Sequence, residues 1–134
     1  MPAGILGWVD GRRFGGRYGV DAAAANATVA AIVERWQWAA GAGWGWDMPI
    51  VALAQNRQGW APEASVAMLL TNCSHNAYLR TGYNAMGTGF LYLPGNGGLL
   101  LTVGQMAAGT TTSPRCNFPA AWGAACEGFA ARFQ

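Results

Sequence analysis

The chain contains no lysine, one histidine, three cysteines and only six carboxylic acids. Charged residues make up 10% of it, against roughly a quarter in an ordinary globular domain. The net charge of +2, carried entirely by arginine on the basic side, is too small to argue for a nucleic-acid partner. No apolar run approaches the ~20 residues that cross a bilayer, so no membrane span is expected. Met1–Val9 has neither a basic start nor a sufficient apolar core for a secretory signal. Cys73, Cys116 and Cys126 lack the spacing of a zinc site. Cys116 and Cys126 either pair in an oxidising compartment or stay buried as free thiols. The turn Gly95-Asn96-Gly97-Gly98 has no following Lys-Ser/Thr, and no strand leads into a full dinucleotide fingerprint, so it is not read as a phosphate loop. His75 has no serine or cysteine partner in a nucleophilic pattern and reads as a C-terminal helix residue. No cofactor is expected from these residues.

What is present is apolar and aromatic. Apolar residues make up 52% of the 134, with seven tryptophans, enough for one domain and its core. Residues 1–20 read as an irregular Gly/Arg-rich lead-in, and 21–134 as a helical-hairpin segment. Asp21 looks like an N-cap for a helix over Ala22–Ala40, where Ala25, Val29, Ile32, Val33 and Trp36 share a face. Pro49 suits the first turn of a second helix running to Gln58. Pro62 opens a third, Glu63–Cys73, with Glu63 favourably near its N-terminus. Residues 75–89 read as a long loop, and Phe90-Leu91-Tyr92 as a short extended piece. A fourth helix is expected over Gly98–Ala108, buried on most sides because Leu99-Leu100-Leu101 is continuous. After the linker at residues 110–114, Phe118, Trp122 and Phe129 are expected to pack back on the helices. No series of strands alternates well enough for a sheet. The pattern predicts an all-α protein made of two helical hairpins.

Two phrases carry chemistry: Trp44-Gly45-Trp46-Asp47-Met48-Pro49 and Tyr92-Leu93-Pro94-Gly95-Asn96-Gly97-Gly98. Sugars present flat C–H faces that stack on indoles and hydroxyls that bond to carboxylates and amides. An acid beside two tryptophans therefore suits a sugar cleft. The competing reading is structural: tryptophans wedge helices together, and the Gly-Asn-Gly-Gly run is a turn.

Together with Trp36-Gln37-Trp38 and Asn76-Ala77-Tyr78-Leu79, these phrases resemble, in order and spacing, the C-terminal catalytic region of a glycoside hydrolase-like family. That family is built on a six-hairpin (α/α)6 barrel. The resemblance runs over roughly 21–109 and more weakly over 119–129. It implies helical hairpins forming part of an (α/α)6 toroid, a sugar cleft at the loop-bearing end, and carboxylate acid/base chemistry on a glycosidic bond of a poly- or oligosaccharide. By analogy with related toroids, hydrolysis would proceed with inversion. The loop Thr81-Gly82-Tyr83-Asn84-Ala85-Met86 departs from the Gly-His-Asn-Tyr-Gln of relatives; only Asn84 stays in register. The helix signals supply about two hairpins of the six, so the chain looks like a fragment whose apolar faces await the missing hairpins or self-associate.

Glycoside hydrolysis uses two carboxyl groups flanking the scissile bond. Asp21 and Glu63 are explained by helix starts and Glu34 by a solvated face. Asp10 lies in the lead-in. Asp47, between Trp46 and Pro49 at a helix N-terminus, is the candidate base, where the dipole favours its charge; alternatively it only caps that helix. Glu127 is either the second carboxylate or an anchor for the tail. Trp44, Trp46, Asn84, Tyr92 and Asn96 are the candidate sugar ligands, with Asn96 equally suited to capping the fourth helix. No metal ligand set stands out. The rival function is a non-catalytic helical module that binds a glycan or a protein partner, motivated by the scarcity of acids.

Overall fold

In a computed structural model, residues 21–38, 45–71, 73, 76–86, 90–109 and 116–129 are described. Trp44, His75, Asp10 with the rest of the 1–20 lead-in, and the 110–114 linker lie outside them. The protein is mostly helical, with little sheet. None of the described helices is long and apolar enough to cross a membrane.

Helix α1 spans Ala22–Arg35, capped by Asp21, whose carboxylate accepts the Ala24 N–H at 2.8 Å. It stops short of the expected Ala40. Trp36 turns extended after the last turn, its ring stacks on Trp38 with centroids 5.4 Å apart, and the Trp38 indole donates back to Val33 O.

Helix α2, Asp47–Arg57, is the centre of the protein. Every residue from Asp47 to Asn56 is buried. The sequence allows this because the stretch has no charged face beyond its two ends, and a helix apolar on all sides belongs in a core. Helix α3 spans Pro62–Leu69, shorter than expected, and Ser65 Oγ ties it to α2 by donating to Ala52 O at 3.0 Å. Helix α4 spans Leu93–Ala108 and also packs along α2. Thr102 Oγ1 bonds to Pro49 O at 2.7 Å across that contact.

The expectation that the Leu99–Leu101 run is buried on most sides is overturned. Leu100 is 73% exposed and Leu101 41%. The inward face of α4 is instead its small face: Gly95, Gly98, Thr102 and Met106. A Cβ on Gly98 would sit 2.9 Å from Pro49 Cβ. The two helices approach too closely there for leucines between them, so Leu93, Leu100, Leu101 and Val103 face outward.

A small sheet forms where none is expected: the expected loop supplies two of its strands, and the short extended piece at Phe90-Leu91 the third. Strands β1 (Ala77–Tyr78), β2 (Asn84–Met86) and β3 (Phe90–Leu91) form an antiparallel meander. Tyr78 pairs with Asn84, and Ala85 with Leu91. Two- and three-residue strands are too short to show a period of two. The turn between β1 and β2 uses Gly82 at φ 84°, with its N–H donating to Leu79 O at 2.8 Å. Positive φ is where glycine is at no steric cost.

Cys116 and Cys126 form a disulfide, with Cα atoms 5.4 Å apart, while Cys73 is a free thiol. The tail returns to the core at one place. Asn117 N–H donates to Met106 O at 2.7 Å, its amide donates to Asn56 Oδ1, and Phe118 packs on the core cluster. Trp122 stacks on Phe118 but is 57% exposed, as is Phe129. These two do not pack back on the helices as expected, because the loop closed by the disulfide leads away from the Asn117–Phe118 anchor.

Candidate functional site

The site is built where three segments meet: the turn entering α2, the strand β2, and the start of α4. Gly45 leads into Trp46, the residue before the helix, and Asp47 is the first helical residue of α2. Asp47 is therefore not the capping residue, and Trp46 makes no side-chain cap bond. Asp47 as a residue is 3% exposed, at the helix end where the dipole favours negative charge. Trp46 is half-buried and packs on the core, its ring beside Gly98 of α4.

Tyr92 immediately precedes α4 and faces the same ground. Burial pushes its phenol above the usual value, and the neighbouring charge of Asp47 pushes it in the same direction. Tyr78 on β1 is also raised by burial, against a smaller opposing hydrogen bond with Asn84. Its hydroxyl donates to Gly95 O at 3.4 Å.

Asn84 lies at the centre and is fully buried. Its side-chain amide donates to Asn76 Oδ1 at 2.8 Å, and Asn76 in turn donates to Thr71 O at 2.6 Å. Its carbonyl accepts the Tyr92 N–H at 2.8 Å. Its own N–H donates to Asn96 Oδ1 at 2.8 Å, while Asn96 Nδ2 donates to Gly82 O at 2.7 Å. Asn96 is thus not the N-cap of α4. It sits one turn inside the helix and uses both ends of its amide to fasten the β1–β2 turn to α4. Capping was the natural reading of an Asn after Pro-Gly, but α4 begins earlier, at Leu93, because Pro94 fits its first turn.

The structure brings Trp46, Asp47, Asn84, Tyr92 and Asn96 into one cluster. Trp44 lies outside the described residues. Glu127 stands apart in character: it is exposed on the coil just after Cys126. Asp21, Glu34 and Glu63 are exposed too, so Asp47 is the only buried carboxylate among the described residues. The described residues hold no group of three or more His, Cys, Asp or Glu side chains placed to bind a metal. Gly45, Gly95, Asn76 and Tyr78 belong to the cluster too; the sequence reading carries them inside its phrases but gives them no role of their own. A glycine's role in letting another side chain approach leaves no local signal.

The two phenols give a testable pH dependence. Both are raised above 10.0 in the folded protein. The unfolded chain then ionises first, so above about pH 10 unfolding releases protons and stability falls as pH rises. Below that pH their contribution is fully present. Thermal melts between pH 8 and 11 should show this decline, and Asp47→Asn should make it shallower by removing one cause of the Tyr92 shift. An unchanged slope would mean that the Asp47 charge does not act on Tyr92.

Comparison with protein-family models, with curated proteins and with solved structures finds no match to this chain.

Proposed function

We propose that this chain forms part of the wall of a sugar cleft in an (α/α)6 toroid glycosidase, acting on a poly- or oligosaccharide by carboxylate chemistry. The observation that carries the reading is Asp47: one acid, buried at the N-terminus of the central helix, with an indole at its side and the Tyr92 phenol within reach of its charge. A carboxylate so placed suits activation of water or stabilisation of positive charge developing on a sugar ring. Glycosidic cleavage needs a second carboxyl group opposite. Glu127 is the candidate within this chain; the remaining hairpins of a toroid are the other source. Trp44, Trp46 and Tyr92 supply aromatic surface for sugar faces, and Asn96 an amide for hydroxyls.

The test is hydrolysis of a broad panel of glycans, read as released reducing ends, by this chain assembled with the hairpins that would complete the ring. Cleavage lost on removal of this chain supports the reading; no cleavage of any glycan by the complete ring sinks it. A second reading is favoured by the exposure of every described acid except Asp47: a helical module that binds glycan without cleaving it. Binding in titration calorimetry with no released ends would select it.

The outward leucines bear on the same proposal. Leu93, Leu100, Leu101 and Val103 form an apolar strip along α4, of the kind that is normally covered. The chain by itself should self-associate in light scattering at micromolar concentration. A monodisperse monomer with a single cooperative melt would count against its being part of a larger toroid.

A further inference from the structure

We propose that Asn84 is a positioning residue: a buried wedge that fixes the turn carrying Asp47 against the turn carrying Tyr92, and does not itself touch a sugar. Its significance for catalysis rests on the cleft reading above, but the geometry does not. Asn84 is fully buried with its amide enclosed between Gly45 and Gly95, so its part in the site is to hold the residues around it.

The wedge has two glycine walls. A methyl group built on Gly45 would overlap Asn84 Oδ1 and lie 2.9 Å from its Cγ. One built on Gly95 would lie 2.8 Å from the same Cγ and 3.0 Å from Gly45 O. The amide is thus held between the Cα of Gly45 and the Cα of Gly95, which approach each other only because neither carries a side chain. Gly45 is two residues before Asp47, and Gly95 three after Tyr92. The main chain of Asn84 holds the same two regions, accepting from Tyr92 N–H at 2.8 Å and donating to Asn96 Oδ1 at 2.8 Å. The Asn76 bond at 2.8 Å fixes the rotation of the amide. Asn84 Oδ1 itself has no hydrogen-bond partner. An unsatisfied buried polar atom costs stability, and shape filling alone would be served by an apolar residue. The amide is kept for its contact with Asn76 and for the planar shape that fits the gap.

Tyr92 serves as the reporter, because its titration senses the Asp47 charge without any need for turnover. The phenol is followed by ultraviolet difference absorption or by NMR of labelled tyrosine in the whole chain. In the wild-type background Asp47→Asn should lower the Tyr92 pKa. In an Asn84→Ala background the same substitution should produce a smaller shift, since the segments carrying the carboxylate and the phenol are no longer held at a fixed separation. A global loss of stability would not abolish this coupling in molecules that remain folded. Should Asn84→Ala fail to fold, Asn76→Ala decides in the same way: it frees the amide while leaving the wedge in place, and should weaken the coupling. If Asp47→Asn shifts Tyr92 equally in the wild-type background and in the folded variant, Asn84 does not position the pair. That result would leave the glycosidase reading standing. Coupling through Asn84 together with an inert glycan panel would leave the positioning role standing and remove the cleft.

Discussion

On the glycosidase reading proposed above, replacing Asp47 by Asn is expected to lower turnover on a glycan by ~10²–10⁴-fold in the completed ring, the usual cost of losing a positioned acid or base. The fold should survive, because the amide has the same shape as the carboxylate and Asp47 is not the cap of α2. The charge is what disappears. With it goes the ability to take a proton from water or to oppose positive charge on the sugar. Two measurements separate the effects: kcat and KM on a cleaved glycan, and the melting temperature of the variant. A severe fall in kcat with a melting temperature near wild type fits a chemical role. Near-normal turnover would take Asp47 off the catalytic list and turn attention to Glu127, exposed on the tail, or to carboxylates contributed by other hairpins.

The second large effect is expected from two adjacent glycines in α4 that should respond with opposite signs. At Gly98 an added methyl would lie 2.9 Å from Pro49 Cβ and 3.4 Å from both Pro49 Cγ and Trp46 Cε3. A proline ring and an indole packed in the core cannot swing aside. The helices α2 and α4 would have to separate, stretching the 2.7 Å bond from Thr102 Oγ1 to Pro49 O. Overpacking of this kind costs about 1–3 kcal/mol, set against a gain of about 1 kcal/mol from the better helix former. Gly98→Ala should therefore be net destabilising, by up to about 2 kcal/mol, and should also displace Trp46 and Asp47. Gly97 faces outward, and a methyl there would meet nothing within 4 Å. Gly97→Ala should stabilise by about 0.5–1 kcal/mol. Denaturant unfolding of both variants checks the contrast. Equal stabilities would mean that α4 does not approach α2 through its small face.

The sequence by itself determined the helical character of the chain and the neighbourhood of each helix start. The Asp21 side chain and the rings of Pro49 and Pro62 act within their own stretch of chain, and such local effects are legible without knowing the fold; the start of α4 at Leu93, expected at Gly98, was not. It also placed Trp46, Asp47 and Tyr92 in phrases beside helix starts, where the structure finds them, whereas Asn96 lies one turn inside α4. Tertiary structure decided which face of each helix is buried. Leu99-Leu100-Leu101 reads as core, yet the close approach at Gly98 turned the small face of α4 inward and two of the three leucines outward. It decided the sheet as well, because strands of two or three residues exist only through the partners they bond. It decided the pairing of Cys116 with Cys126, which the sequence left open against free thiols. It decided, finally, that Asn84, Gly45 and Gly95 form one unit. An amide held between two glycine Cα atoms depends on distances between segments far apart in the chain. A residue defined by the room its neighbours leave it carries no mark of that room in its own stretch of sequence.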